Sequence, residues 1–113
     1  MNCLFCKIAT GEIPGDIIFE DEQLLAFNDI NPKAPTHILI IPRKHIPTIN
    51  DLAATDSELV GELVQTAKNL ANDLGIAEDG YRLVFNINKF AGQQVFHIHL
   101  HLLGGRALHW PPG

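Results

Sequence analysis

Apolar and polar positions alternate most regularly over residues 96–103. Histidines stand at positions 97, 99 and 101, and apolar residues occupy the positions between and beside them. Side chains of a β-strand point alternately to its two faces, so this pattern predicts a strand with one apolar face and one imidazole face. Neighbouring imidazoles on such a face lie roughly 7 Å apart. We therefore expect all three rings to reach one phosphate-sized group.

The other hydrophobic patterns predict an α+β fold. Apolar residues at three- and four-residue steps predict an amphipathic helix over 56–74, with a capping box formed by Thr55 and Glu58 and an end at Gly75. Shorter runs predict strands over 17–20, 24–28, 37–41 and 81–88, a short helix over 3–10 and a loop over 90–94. This order indicates a five-stranded antiparallel sheet, covered by one long helix and preceded by a short N-terminal helix.

Length and charge restrict the possible functions. The 113 residues are typical of one domain, which we place over 1–113 with a C-terminal tail over 104–113. The net charge of −5 argues against a nucleic-acid partner, and no apolar run is long enough for a membrane span. The first residues lack the pattern of a secretory signal, so a cytoplasmic location is expected.

The histidine row points to chemistry. A buried imidazole without a partner costs about 1–3 kcal/mol, so three of them in register indicate a function. A neutral imidazole can act as a nucleophile while its neighbour positions or protonates the substrate, or the row could bind a metal ion. The loop around Gly92 could offer backbone N–H groups to an anion, or it could be a plain turn. Neither a P-loop nor a dinucleotide fingerprint is present.

Two further features leave alternatives open. Cys3 and Cys6 form a Cys-x-x-Cys pair that could be a zinc half-site, a redox pair or chance. A zinc site needs two more ligands, for which His45 and one histidine of the row are candidates, with His109 as a spare. His37 could orient a neighbouring imidazole or be a solvated strand end. In the same way, Asp29 could accept hydrogen bonds from ribose hydroxyls or form a turn.

The chain resembles the histidine-triad nucleotide-binding proteins, and the Hint branch in particular. The resemblance runs along the whole chain and begins with the triad and the Leu-Leu-Gly-Gly-Arg sequence that follows it. It extends to four other segments: 3–8 with 11–14, 27–32, 34–37 and 109–113.

This resemblance implies an enzyme that hydrolyses purine nucleoside phosphoramidates, including AMP linked to an amine. His99 matches the nucleophile, which would form a nucleotidyl-histidine that water then hydrolyses. His101 matches the phosphate contact, and His97 and His37 match residues that set tautomer and orientation. The resemblance also implies a homodimer in which two sheets join and the long helix lies partly at the interface.

Binding residues are implied by the same resemblance. Asp29 and Ile30 match contacts to ribose and base, and Phe5 and Ile8 match the lining of the base pocket. Trp110 matches a tail residue that reaches the partner's active site. Contacts to the nucleotide and its phosphate match Asn86, Gly92, Gln93 and Gln94. A structural zinc ion would be held by Cys3, Cys6, His45 and His97, whereas catalysis would need no cofactor.

The sequence departs from the family pattern at two positions. Gln94 stands where Hint members often carry a serine linked to the leaving group, and Asn28 stands where some carry histidine. An amide donates hydrogen bonds but is a poor proton shuttle. A nucleotide-binding regulator with weak or vestigial hydrolysis is therefore an alternative, and a purely structural zinc protein is a third.

Overall fold

A computed structural model describes residues 2–113 and confirms the predicted fold class. One antiparallel sheet contains five strands in the order β1-β2-β3-β5-β4, and a long helix covers one of its faces. The helices are α1 (Leu4–Thr10), α2 (Ser57–Asp73) and α3 (Asn88–Ala91). The strands are β1 (Ile17–Glu20), β2 (Leu24–Asn28), β3 (Thr36–Pro42), β4 (Tyr81–Val84) and β5 (Leu100–Gly104).

The central strand β3 is buried on both faces, as its unbroken apolar run predicts. Ile38 and Ile40 belong to the core under α2, and Leu39 and Ile41 belong to a second core that includes α1. Leu39 pairs with His101 on β5. His37, Leu39 and His101 therefore share the α1 face of the sheet, because alternate residues of a strand face the same side.

Helix α2 packs on the sheet through one stripe of small and branched residues. Leu63, Ala67 and Ala71 are completely buried, whereas Val64 and Leu74 are 42% and 49% exposed. The apolar stripe is therefore wider than the surface that this sheet covers. Within residues 2–113, no helix combines the length and the apolar character needed to cross a bilayer.

The predicted capping box at Thr55 and Glu58 is wrong. A short 3₁₀ turn over Ala54–Asp56 precedes α2 and shifts the start of the helix to Ser57. Asp56 holds this turn, because its carboxylate accepts hydrogen bonds from the Ala53 N–H at 2.9 Å and from Lys44 Nζ at 2.7 Å. The turn is therefore capped by Asp56, one residue past the predicted position, and the Asp56 side chain makes no cap hydrogen bond to α2 itself.

The strand predicted over 96–103 is only partly right. β5 begins at Leu100, and the backbone before it leaves the sheet: the Ile98 N–H donates to the Ile46 carbonyl at 2.8 Å. The strand predicted over 81–88 correspondingly ends at Val84, since β5 offers no partner beyond His101. Residues 88–91 form α3 instead, which begins at Asn88 with a φ of 66°.

Leu63→Ala tests the α2 core. Leu63 is fully buried against the sheet, so truncation leaves a cavity that should lower the free energy of unfolding by about 2–5 kcal/mol. The free energy of unfolding is measured by urea unfolding followed by circular dichroism. The exposed neighbour Glu62→Ala is the control and should change stability by less than about 0.5 kcal/mol. Equal effects of the two variants would contradict this packing.

Candidate active site

A cavity of about 310 Å³ opens on the α1 face of the sheet. Its walls come from α1, from the end of β2, from the segment that follows β4 and from the last two triad histidines. Apolar side chains such as Phe5, Ile8 and Phe27 lie together with imidazoles and carboxylates, a mixture typical of small-molecule sites. Nine of the predicted nucleotide contacts line it: Phe5, Ile8, Asp29, Ile30, Asn86, Gly92, Gln94, His99 and His101.

His99 presents a free electron pair at a defined ring atom. Its Nδ1 lies 2.8 Å from the His97 carbonyl oxygen, which can only accept, so Nδ1 carries the proton and donates it. In the neutral ring, Nε2 is then unprotonated. Burial lowers the pKa of His99, although its hydrogen bond to the carbonyl and the charge of Asp29 oppose that shift. The Phe5 ring meets His99 edge-on, with centroids 5.0 Å apart, and restricts its rotation.

His101 ends a chain of hydrogen bonds that fixes its tautomer. The Lys33 N–H donates to His37 Nδ1 at 3.0 Å, so the proton of neutral His37 is on Nε2. That Nε2 donates to His101 Nδ1 at 2.9 Å, which leaves the His101 proton on Nε2. Burial, together with His99 and His37, lowers the pKa of His101 to about 4. At neutral pH the site therefore offers one acceptor, His99 Nε2, and one donor, His101 Nε2–H.

Asp29 lies beside the hydrogen bond between His37 and His101. Its Oδ2 is 3.4 Å from His37 Nε2, and its Oδ1 accepts the Asn31 N–H at 2.8 Å. Asp29, His37 and His101 are close enough to hold a metal ion. However, His37 Nε2 carries the proton in this tautomer and has no electron pair to offer a metal. The arrangement is better suited to orienting His101 than to coordination.

Two predicted contacts lie elsewhere. Gln93 is buried. Its side-chain oxygen accepts a hydrogen bond from the Asn88 N–H, and its side-chain nitrogen donates to the Pro47 and Val95 carbonyl oxygens. Gln93 therefore holds the loop instead of lining the cavity. Its neighbour Gly92 adopts a left-handed φ of 84° and does line it. Trp110 is 82% exposed and lies outside the cavity of this single chain.

His97 belongs to a second cluster. Its Nε2 donates to the Pro42 carbonyl at 2.7 Å, which leaves an electron pair on Nδ1. That Nδ1 lies 3.4 Å from Cys3 Sγ, 3.5 Å from Cys6 Sγ and 3.2 Å from His45 Nδ1. The expectation that all three triad rings reach one phosphate is therefore wrong for His97.

The four atoms of this cluster fit a tetrahedral metal ion. Zinc bonds of about 2.3 Å to sulfur and about 2.0–2.1 Å to nitrogen place tetrahedral ligands about 3.3–3.8 Å apart. The N–S separations of 3.4 to 3.5 Å lie within that range, and the N–N separation of 3.2 Å between His45 and His97 lies just below its lower end. Burial and the nearby Cys3 thiol raise the pKa of Cys6 to about 11, a shift that a bound cation would reverse.

Several cavity residues were not found from the sequence. Asp16 and Gly15 lie between α1 and β1, where no periodicity gives a signal. Asn28 stood out only as a departure from a family pattern. The cavity is also lined by Leu4, Ile13, Pro14, Phe27, Leu39 and Val95.

The burial of His101 should make stability pH-dependent. Its pKa in the folded protein is about 4, below the ordinary value of about 6.5, so the unfolded chain binds a proton that the folded chain does not. Stability present above pH 6.5 is then lost as the pH falls toward 4. Urea unfolding at pH 7 and pH 5 should show a smaller loss in His101→Asn than in the wild type.

The exposed tail residue His109 provides the control for this pH dependence. His109→Asn should lose as much stability between pH 7 and pH 5 as the wild type. An unchanged pH dependence in His101→Asn would show that His101 is not held neutral by the fold.

Comparison with known proteins places the chain in a family. The model of the HIT domain matches residues 10–108. The "purine nucleoside phosphoramidase" of Escherichia coli (strain K12) is 53% identical over 105 residues, covering 93% of this chain and 88% of that protein.

Solved structures give the same assignment. The HIT family hydrolase from Legionella pneumophila Philadelphia 1 has a TM-score of 0.98 and 63% identity, covering 99% of this chain and all of that one. The histidine triad nucleotide-binding protein from Candida albicans has a TM-score of 0.83 and 31% identity, covering 97% of this chain and 83% of that one. The chain belongs to the HIT domain family.

Proposed function

We propose that the protein is a hydrolase that cleaves the P–N bond of purine nucleoside phosphoramidates through a nucleotidyl-histidine. The observation that carries this proposal is the fixed tautomer of His99, whose Nε2 electron pair lies beside a hydrogen-bond donor in the same cavity. The name of the E. coli relative, a purine nucleoside phosphoramidase, supports the substrate class.

In the first step, His99 Nε2 attacks the α-phosphorus of the substrate, and the P–N bond breaks. The leaving nitrogen takes up a proton; the Gln94 amide can hydrogen-bond that nitrogen but cannot supply the proton, which therefore comes from solvent. His101 Nε2–H donates to a phosphate oxygen, where negative charge develops. The products are the amine and a nucleotidyl-His99.

In the second step, water attacks the phosphorus and gives up a proton to solvent, and the P–N bond to His99 breaks. The nucleoside monophosphate leaves, and His99 regains its electron pair. Imidazole suits both steps because it is a good nucleophile when neutral and a good leaving group from phosphorus. The lowered pKa keeps His99 neutral around pH 7.

The rest of the cavity would bind the nucleotide. Apolar walls from Phe5, Ile8 and Ile30 accept the faces of a purine, and Asp29 accepts ribose hydroxyls. Backbone N–H groups near Gly92 can approach the phosphate because glycine leaves the backbone uncovered. Asn86 lies in the same wall and offers an amide to the nucleotide.

His99→Ala tests the proposal. Removing the nucleophile should lower kcat for an adenosine 5′-phosphoramidate by at least about a thousandfold. Release of AMP and amine is followed by chromatography, and acid-quenched samples of the wild type should contain protein-bound nucleotide that the variant lacks. His109→Ala, an exposed histidine outside the cavity, is the matched control and should retain activity. Normal turnover by His99→Ala would disprove this mechanism.

A nucleotide-binding regulator is the second candidate, and Gln94 is the observation that favours it. An amide in place of a hydroxyl weakens assistance to the leaving group without preventing nucleotide binding. Tight binding of AMP by a wild-type protein that turns over no phosphoramidate would support this function.

We also propose that the cluster formed by Cys3, Cys6, His45 and His97 holds a structural zinc ion. Two thiolates and two imidazoles complete a closed tetrahedral set, which leaves no position for substrate. The role of His97 would then be ligation, with catalysis left to His99 and His101. An ion there would join α1 to the segment before β5. Cysteines that form no disulfide suit a reducing compartment, so we place the protein in the cytoplasm.

Cys6→Ser tests the zinc site. The wild type should contain about one zinc ion per chain, and the variant should contain much less. A chelator should lower the melting temperature of the wild type but not that of the variant. His109→Ala should keep its zinc, because His109 is outside the cluster. Wild-type protein that neither contains nor binds zinc would refute the proposal.

We propose a homodimer joined through β4 and α2. Among residues 2–113, β4 has a single neighbour in the sheet, β5, so its outer edge is unpaired in that part of the chain. Val64 and Leu74 on or beside α2 are exposed, and Trp110 is 82% exposed. Pairing of two β4 strands would continue the sheet and cover apolar surface, and it would bring the tail of each chain to its partner.

A further inference from the structure

Two polar residues, Asp16 and Asn28, lie side by side in the cavity wall. The Asn28 side-chain amide donates to Asp16 Oδ2 at 2.9 Å, and the Asn28 backbone N–H donates to the Asp16 carbonyl at 3.0 Å. The second bond lies next to the pairing of β1 with β2, so the backbone fixes the two residues relative to each other. The mechanism above uses neither side chain.

The pair borders the part of the cavity that suits a base. Asn28 follows Phe27 and precedes Asp29, and Phe5 packs edge-on against Phe27 at a centroid distance of 5.4 Å. Aromatic and aliphatic walls contact the faces of a planar base but cannot distinguish one purine from another. Discrimination requires polar groups at the edge of the base.

The hydrogen-bonding capacity that remains to the pair is specific. Asp16 Oδ1 accepts no hydrogen bond from residues 2–113, and a carboxylate accepts only. Asn28 retains one N–H of its amide after the bond to Asp16. The pair thus presents an acceptor beside a donor.

These groups complement guanine. Guanine offers the N1–H and N2–H donors beside the O6 acceptor, so Asp16 can accept from the donors while Asn28 donates to O6. Adenine in the same orientation presents an unprotonated N1, whose electron pair would face the carboxylate. In the opposite orientation adenine can form two hydrogen bonds, from N6–H to Asp16 and from Asn28 to N1, against three for guanine. We infer that the Asp16–Asn28 pair makes the site select guanine over adenine nucleotides; this inference rests on the proposed function.

The test compares three substrates on two variants. The 5′-phosphoramidates of guanosine, inosine and adenosine are assayed with wild type, Asp16→Asn and the control Glu12→Gln. Asp16→Asn replaces the acceptor by an amide of the same shape. Glu12→Gln removes the same charge from an exposed residue that does not line the cavity. Inosine keeps N1–H and O6 but lacks the N2 amino group. Binding of GMP, IMP and AMP is measured on the same proteins by calorimetry.

The wild type should prefer guanosine over adenosine by about tenfold or more in kcat/KM, with inosine between them, as expected for hydrogen bonds to a charged acceptor. Asp16→Asn should reduce that preference to within about threefold, and Glu12→Gln should leave it unchanged. Equal use of the substrates by wild type, or a guanosine preference that survives in Asp16→Asn, would overturn the inference.

Measurements of nucleotide binding distinguish a failure of this inference from a failure of the proposed function. If the wild type hydrolyses none of the substrates, the proposed function fails, but GMP should still bind about tenfold more tightly than AMP, and the ratio should fall in Asp16→Asn. Absence of binding by all three nucleotides would overturn both.

Discussion

The chemistry of this site depends on hydrogen bonds between imidazole rings and backbone groups. The His97 carbonyl fixes the proton of His99, the Pro42 carbonyl fixes that of His97, and the Lys33 N–H fixes His37 and, through it, His101. His97, His99 and His101 thus each have one ring nitrogen assigned by the fold and one left for chemistry, whereas His37 uses both of its ring nitrogens in hydrogen bonds. A side-chain partner could rotate or titrate, whereas a backbone group can do neither, so the tautomers hold as long as the fold does.

The break in the strand before Leu100 separates the triad into two sites. Had residues 97–101 stayed in the sheet, all three rings would face the same side. The Ile98 N–H instead donates a hydrogen bond to the Ile46 carbonyl, and the backbone turns away from β4. His97 is then directed to the cysteines while His99 and His101 remain in the cavity. The regular alternation in the sequence therefore serves two neighbouring centres, and the Phe5 ring lies edge-on to both His97 and His99.

The fold was largely predictable because its signals are local. The run over 37–41 and the helical stripe of α2 depend on side-chain periodicity, which sequence displays directly. The start of β5 and the cap at Asp56 were not predictable, since each depends on a partner distant in the fold or on a short 3₁₀ turn. Cavity residues were likewise predictable only where a local pattern marks them. The triad was visible as a pattern, whereas Asp16 acquires a role only when β1 brings it beside Asn28.

His97 connects the two centres through different atoms. Its ring faces the cysteines and His45, while its carbonyl oxygen accepts the hydrogen bond from His99 Nδ1–H. Anything that holds the ring in place also holds the carbonyl, because both belong to His97 and only its Cβ and Cα atoms separate them. A zinc ion at the cluster would therefore stabilise the orientation of His99 without contacting substrate. Such an arrangement would explain how a closed, four-ligand site could matter to catalysis while contributing no Lewis acid to it.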